Sequence, residues 1–225
     1  MSTTITKKLF LRLATMLLLL GPLSLSFAQT QQKRPITDKD IFQFQWIGDP
    51  QVSPDGASIV FVRVSVDDKK TGYNTSLWMT PASGGAPIRM TNGKHDTQPR
   101  WSPDGKWIAF VRGGEMKDGK PQPGQIALLS LSGGEAATIT SVPHGSSHPV
   151  WSPDGKRIAF LSDANAEDIE KAKEKHPAEP EHESDVRIIT RAVYRMNGAG
   201  YLDPKHHQHI WIEEVPASGD TQMKP

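Results

Sequence analysis

An internal repeat constrains the fold of this chain more than any other feature. The tetrapeptide Ser-Pro-Asp-Gly occurs at residues 53–56, 102–105 and 152–155, so its copies begin 49 and 50 residues apart. An apolar segment follows each copy, at residues 59–62, 108–111 and 158–161. Because several separated positions agree, each period is interpreted as one structural unit rather than a chance match.

The repeated tetrapeptide is suited to a tight turn between two strands. Proline presets φ at the second turn position, aspartate accepts hydrogen bonds from nearby amides at the third, and glycine adopts the positive φ that closes the turn. We therefore predict three hairpin turns with a positive φ at each glycine. The structural turn residues are Pro54, Asp55, Gly56, Pro103, Asp104, Gly105, Pro153, Asp154 and Gly155.

Each unit has room for four short strands. The segment after the turn is β-branched and aromatic, with apolar residues on both faces, which predicts a strand in a sheet that is covered on both sides. A second turn signal, Ser-Gly-Gly, occurs at residues 83–85 and 132–134 and predicts a further hairpin. Four antiparallel strands in a unit of about 45 residues are typical of a β-propeller blade, whereas a β-sandwich does not impose such a period.

These units predict an all-β chain of three four-stranded antiparallel blades, near residues 49–91, 97–141 and 147–225. Because a closed propeller needs about four blades or more, we expect an incomplete propeller over residues 36–225. An insertion at residues 162–208 interrupts the third repeat. Within it, residues 165–175 predict a short charged helix with Asn165 as N-cap, and residues 186–195 predict an additional strand.

The first 28 residues have the pattern of a secretory signal peptide. Three cations precede an apolar run at residues 13–25, and small residues lie just before a cleavage point near Ala28. A transmembrane anchor is the alternative, but the run is shorter than the ~20 residues that a bilayer needs, and Gly21-Pro22 interrupts it. We expect a periplasmic or secreted protein without membrane contact after cleavage.

Charge and cysteine content exclude several function classes. The chain has a formal net charge of +1, which becomes −2 without the first 28 residues, because 23 Lys+Arg then face 25 Asp+Glu. This balance excludes a strongly basic nucleic-acid binder. The chain contains no cysteine, which excludes a disulfide scaffold, a thiolate metal site and a cysteine nucleophile.

Two groups of polar residues contain potential metal ligands but lack the spacing of a known site. The first consists of His206, His207 and His209. It has no helical zinc motif, and we interpret it as a surface turn. The second consists of Asp163, Asn165, Glu167 and Asp168. It lacks the glycine of a calcium-binding loop, and we interpret it as the start of a helix. We therefore assign no metal ligand and no cofactor.

Five tryptophans lie at repeat or strand positions, and we interpret them as core residues. They are Trp78, Trp101, Trp107, Trp151 and Trp211. A platform for stacking sugars is the alternative for any of them that is exposed.

The repeats resemble the propeller units of Tol-B-like proteins and of the prolyl oligopeptidase family of serine peptidases. A more selective segment contains Asp-Val-Arg-Ile-Ile-Thr-Arg at residues 185–191, Gly-Tyr-Leu-Asp at 200–203 and His-Ile-Trp at 209–211. This segment resembles the acylaminoacyl-peptidase and dipeptidyl-peptidase branch of that family, as do residues 36–42. The resemblance spans residues 36–218, nearly the whole mature chain.

In that family a propeller restricts access to a cavity, and an α/β-hydrolase domain holds a Ser, Asp and His triad. The resemblance implies that this chain gates and positions peptide substrates for a C-terminal hydrolase domain that it lacks. The chain contains no Gly-x-Ser-x-Gly motif, so the nucleophile elbow is missing. The nearest segment, residues 145–148, leads into a repeat, and we assign no catalytic residue.

Arg191, Tyr194 and Arg195 are the candidate substrate-binding residues, because a cationic side chain can receive a substrate carboxylate. A structural pairing with a nearby aspartate, Asp185 or Asp203, is the alternative. A second function also stays open: a periplasmic Tol-B-like propeller that binds proteins without catalysis. An in-frame hydrolase sequence after Pro225 would distinguish the two, whereas substrate preference and oligomeric state do not follow from the sequence.

Overall fold

The computed structural model of the chain describes residues 34–117, 120–173, 189, 195–196, 200–201, 203 and 205–216. The chain divides into two units, Met1–Asp38 and Lys39–Pro225. The described part of the first unit, residues 34–38, is exposed, and a 3-10 helix begins at its end and covers Asp38–Gln43. All described strands belong to the second unit. The predicted signal peptide at residues 1–28 lies outside the described residues.

The first two repeats each form a four-stranded antiparallel sheet. Blade 1 contains, in spatial order, β1 (Gln45–Val52), β2 (Ser58–Val66), β3 (Tyr73–Pro81) and β4 (Ile88–Arg89). Blade 2 begins with β5 (Asp96–Trp101) and β6 (Trp107–Arg112), which are followed in the chain by a separate hairpin of β7 (Met116–Lys117) and β8 (Lys120–Pro121). It is completed by β9 (Gln125–Ser130) and β10 (Ala137–Thr138).

The third repeat forms a sheet that the insertion interrupts. Blade 3 contains β11 (Ser147–Trp151) and β12 (Arg157–Ser162), and its third strand, β15 (His209–Glu214), follows the insertion. The insertion contributes the helix α1 (Ala166–Lys173) and a hairpin of β13 (Arg195–Met196) and β14 (Gly200–Tyr201). The predicted all-β class is confirmed: the sheets are antiparallel blades, and no closed barrel forms among the described residues.

The helix of the insertion begins as predicted. Asn165 caps it, because its side-chain oxygen accepts the amide proton of Asp168 at 3.0 Å while the Asp168 carboxylate accepts the Asn165 amide proton at 2.8 Å. An ion pair of 3.0 Å joins Glu167 and Lys171 one turn apart. Of the described helices, none combines the length and the apolar composition required to cross a bilayer.

The Ser-Pro-Asp-Gly turns form the same hydrogen-bond network three times. In the first copy, Ser53 Oγ donates to Asp55 at 2.5 Å and accepts the Ser58 amide at 2.9 Å, while the Gly56 amide donates to the Ser53 carbonyl at 2.9 Å. The predicted positive φ is confirmed, with values of 73°, 69° and 69° at Gly56, Gly105 and Gly155. The equivalent bonds in the other copies join Ser102 to Asp104 and Trp107, and Ser152 to Asp154 and Arg157.

The central strand of blade 2 is buried on both faces, as its apolar pattern predicted. Ile108 and Phe110 pack in a cluster with apolar residues of blade 1, including Val60 and Leu77. Ala109 and Val111 point to the opposite face and pack in a second cluster that includes Ile158 and Phe160 of blade 3. The three blades are therefore stabilised mainly by the apolar surface that is buried between consecutive sheets.

The interpretation of the tryptophans as core residues holds at four of the five positions. All five are half-buried, and Trp101, Trp107, Trp151 and Trp211 pack against the two core clusters. Trp78 instead has the guanidinium of Arg63 over its ring, 4.3 Å from the ring centroid. Trp78 therefore forms a cation–π pair with Arg63 on the sheet.

The turn carboxylates link folding to pH. The Ser53 hydroxyl, followed by a backbone amide, lowers the pKa of Asp55, and equivalent bonds lower the pKa values of Asp104 and Asp154. Their stabilising effect is complete above the unfolded-state pKa and is lost as pH falls through the lower folded-state pKa. When all three aspartates are changed to asparagine, we expect the free energy of unfolding to decrease less steeply than in the wild type as the pH is lowered below about 4. Urea unfolding at a series of pH values measures this slope, and equal slopes would contradict the assignment.

Candidate functional site

The first strands of consecutive blades lie side by side, β1 beside β5 and β5 beside β11, and we call this edge of the blades the inner edge. The indole of Trp101 on β5 donates to the carbonyl of Gln51 on β1 at 3.1 Å. One repeat later, the indole of Trp151 on β11 donates to the carbonyl of Arg100 on β5 at 3.0 Å. Because the same residue type makes the same contact twice, this bond is a repeated feature of the blade interface.

Each of these inner strands contains a β-bulge with an unusual backbone conformation. The pairing register shifts in all three strands, and the bulged residues Asp49, Gln98 and His148 have φ values of 44°, 54° and 54°. A positive φ in a residue other than glycine costs about 1–3 kcal/mol and is tolerated where the surrounding structure enforces it. Bulges also redirect side chains, so the side chains of these three residues do not follow the regular alternation of the strand.

The redirected side chains connect neighbouring blades. Arg100 of blade 2 forms an ion pair of 2.8 Å with Asp49 of blade 1. Gln98 of blade 2 accepts the backbone amide proton of His148 from blade 3 at 2.6 Å. We call Asp49, Gln98, Arg100 and His148 the inner-edge row. Its members provide donors and acceptors on strands held by the core, and such groups can bind the backbone or terminus of a peptide.

The serine–histidine segment at residues 145–148 has the geometry of a structural turn. Ser146 is buried and its hydroxyl bonds to Thr140 at 3.1 Å and Gln125 at 3.3 Å. Ser147 Oγ donates to the Leu161 carbonyl at 3.4 Å and lies 3.1 Å from Nδ1 of His148. A Ser–His contact alone is not a catalytic site, because acyl transfer also needs an orienting acid and an oxyanion hole.

The candidate substrate-binding residues are described only in part. Arg191 and Tyr194 lie outside the described residues. Arg195 is exposed in β13, where its backbone pairs with Tyr201. Of the aspartates considered as their partners, Asp185 is also outside the described residues, whereas Asp203 is exposed and forms a hydrogen bond with His206. The substrate-binding role of the three residues stays a prediction.

The structure brings together a group that the sequence pattern does not reveal. His144, Asp168 and His206 come from three separated segments, and one potential ligand atom from each lies within 4.8 Å of the others. Partial burial acts to raise the pKa of Asp168, but the backbone amide of Asn165 and both histidines outweigh it and lower that pKa. A hydrogen bond from His206 to Asp203 raises the pKa of the imidazole. We call these three residues the histidine–aspartate cluster.

Successive antiparallel sheets with the same turn and the same inner-edge bulge, two of four strands and one of three among the described residues, are typical of a β-propeller protein. In agreement with this geometry, residues 25–191 match the TolB β-propeller domain family, PD40, and the chain belongs to that family. The match covers most of the chain and includes the first two blades together with the beginning of the third.

A known peptidase is similar to part of this chain in sequence, and solved peptidase structures are similar to it in fold. The uncharacterized peptidase YuxL of Bacillus subtilis (strain 168) is 35% identical over 116 residues, which is 51% of this chain and 17% of that protein. An acylaminoacyl peptidase of Pyrococcus horikoshii superposes with a TM-score of 0.56 at 17% identity, covering 76% of this chain and 24% of the peptidase. For an acylaminoacyl peptidase in complex with Z-Gly-Gly-Phe-chloromethyl ketone, the TM-score is 0.58 at 16% identity, and the superposition covers 78% of this chain and 24% of that peptidase.

These comparisons confirm the resemblance inferred from the sequence, that of a propeller part of a peptidase. The two solved structures establish the likeness of fold. The chain spans only about a quarter of their length, and 17% of the length of the B. subtilis relative.

Proposed function

We propose that this chain is the non-catalytic N-terminal propeller part of an exported serine peptidase, and that it gates and positions peptide substrates for an α/β-hydrolase domain. The observation that carries the proposal is the superposition of three quarters of the chain on acylaminoacyl peptidases. The 35% identity to a B. subtilis peptidase supports it independently at the level of sequence. In this assignment, peptide-bond hydrolysis occurs in a domain of the full gene product.

The inner-edge row is the part of the chain that we assign to substrate contact. Strands that adjoin from blade to blade surround the centre of a propeller, and a peptide on its way to an active site passes along them. Arg100 is about one third exposed, at 31%, and its partner Asp49 is 30% exposed, so solvent reaches both ends of the ion pair. The carboxylate of a peptide could compete with Asp49 for the guanidinium.

Export is the second component of the proposal. The pattern of cations, apolar run and small residues in residues 1–28 supports secretion with cleavage near Ala28. The absence of cysteine means that oxidising surroundings impose no disulfide pairing on the chain.

A series of substrates of increasing length tests the gating role in the full gene product. We expect kcat/KM to be about tenfold or more lower for a folded protein than for a short blocked peptide with the same cleavage sequence. This difference corresponds to an activation barrier that is higher by at least about 1.4 kcal/mol. The reason is that a propeller admits a thin chain and excludes a folded one. Equal kcat/KM values for both substrates would contradict gating.

Variants of the inner-edge row connect this selectivity to the chain described here. Arg100→Ala should raise KM for peptides with a free terminal carboxylate, because it removes the inner-edge cation. Lys69→Ala is the matched control, since Lys69 is an exposed cation in the β2–β3 loop and does not belong to the inner-edge row. An equal change in KM for both variants would argue against substrate contact at this row.

A Tol-B-like protein-binding module is the second candidate function, and the family match over residues 25–191 favours it. Such a module would act through protein partners and would need no hydrolase domain. A full gene product without peptidase activity but with a stable protein partner would favour this alternative.

A further inference from the structure

The histidine–aspartate cluster joins blade 2 to the insertion. His144 lies in the loop between β10 and β11, Asp168 lies in the first turn of α1, and His206 follows Lys205 just before β15. The chain positions these groups through local bonds. Reciprocal hydrogen bonds with Asn165 hold Asp168 at the start of the helix, and the Asn165 side chain also donates to the Lys205 carbonyl at 3.4 Å.

Both imidazoles are oriented by a carboxylate on one ring nitrogen. Nδ1 of His144 is 3.1 Å from Asp163, and Nδ1 of His206 is 2.8 Å from Asp203. When Nδ1 donates to these carboxylates, each neutral ring has its lone pair on Nε2. Metal-binding histidines show this arrangement, in which an outer carboxylate fixes the tautomer and the ring orientation.

The Nε2 atoms of both rings face the same carboxylate. Nε2 of His206 lies 3.2 Å from one oxygen of Asp168, and Nε2 of His144 lies 3.9 Å from the other. Two ligands of a tetrahedral zinc ion, each 2.0–2.1 Å from the metal, are roughly 3.4 Å apart. The ring centroids of the two histidines are 4.7 Å apart, so both rings can approach one ion. The two Nε2–carboxylate separations lie on either side of this value, and the three ligand atoms lie within 4.8 Å of one another, so a modest inward shift of His144 would complete a shared coordination sphere.

We propose that His144, Asp168 and His206 bind a zinc ion that fastens the insertion to the blade 2–blade 3 loop. Two imidazole nitrogens and one carboxylate suit zinc, whereas magnesium and calcium require mostly oxygen ligands. The side chains of Asp168 and His206 are mostly buried, with exposures of 15% and 22%, and that of His144 is 35% exposed. Three protein ligands leave a fourth position for water. This assignment departs from the sequence interpretation, which placed His206 in a surface turn without ligands.

Titration of the tag-free chain with Zn²⁺, monitored by isothermal titration calorimetry, tests the proposal directly. We expect one Zn²⁺ per chain and no binding of Mg²⁺ under the same conditions. The chain has no cysteine and eight histidines, so thiolates do not contribute to the measured binding. A folded wild-type chain that binds no Zn²⁺, or that binds Mg²⁺ equally well, would overturn the proposal.

Paired variants distinguish the cluster from the neighbouring exposed histidines. His144→Gln with His206→Gln should abolish stoichiometric zinc binding, because both nitrogen ligands are removed. His207→Gln with His209→Gln is the matched control, since both side chains are exposed near the cluster, and this variant should keep the wild-type affinity. Retained binding in the first variant, or lost binding in the control, would overturn the assignment.

Two further measurements remain decisive if the double variant does not fold. Asp203→Asn leaves all three ligands in place but weakens the orientation of His206, and it should lower zinc affinity by about 10–100-fold. In the wild-type chain, Co²⁺ should shift the ring-proton NMR signals of two of the eight histidines strongly. Unchanged affinity in Asp203→Asn, together with shifts confined to other histidines, would show that the metal binds elsewhere.

Discussion

Phe110→Ala should destabilise the chain by about 3–5 kcal/mol, the range observed when a buried phenylalanine is truncated. Phe110 is fully buried on β6 and packs between the first two blades in the cluster that contains Val60 and Leu77. The substitution removes most of the ring's contacts and leaves a cavity between two sheets that cannot close without moving both. In a repeat architecture, the interface between neighbouring units supplies much of the stability of each unit.

Urea unfolding, monitored by circular dichroism, measures this loss of stability. Phe44→Ala is the matched control, because it makes the same change at a side chain that is 53% exposed. We expect the control to change stability by about 0.5 kcal/mol or less. Equal losses for the two variants would contradict the packing of blade 2 against blade 1.

The blades could be predicted from the sequence because their signals are local and repeated. The hydrogen bonds of the Ser-Pro-Asp-Gly turn span at most five residues, so the motif determines its own geometry in all three copies. The same holds for the cap at Asn165, whose bonds to Asp168 span three residues. The two-faced apolar pattern of β6 likewise predicted a sheet that is covered on both sides.

The inner-edge bulges and the histidine–aspartate cluster depend on contacts between distant segments. The ion pair of Asp49 and Arg100 spans 51 residues, and its geometry requires two complete blades to be in place. His144 and His206 are brought together only because the insertion folds back toward the blade 2–blade 3 loop. A pattern search that requires ligands at helical spacing does not find such a group. The hairpin of β7 and β8 was also not predicted, since its strands have only two residues each.

Reaction with a fluorophosphonate probe should distinguish this chain from the full gene product completely. We expect no labelling of the chain that ends at Pro225, because its Ser–His pair lacks the features that activate a serine. The Ser147 hydroxyl donates to the Leu161 carbonyl, and the neighbouring Ser146 is buried in a network with Thr140. An unactivated serine hydroxyl is a weak nucleophile, and proximity to histidine supplies only part of what acyl transfer requires.

The full gene product tests the central claim, that this chain is the propeller part of a serine peptidase. We expect the probe to label that product at a serine beyond Pro225, and to label it equally when Ser147→Ala is introduced as the control. Labelling of the 225-residue chain itself that disappears in Ser147→Ala would contradict its non-catalytic role. A folded full gene product that the probe does not label would contradict the peptidase assignment.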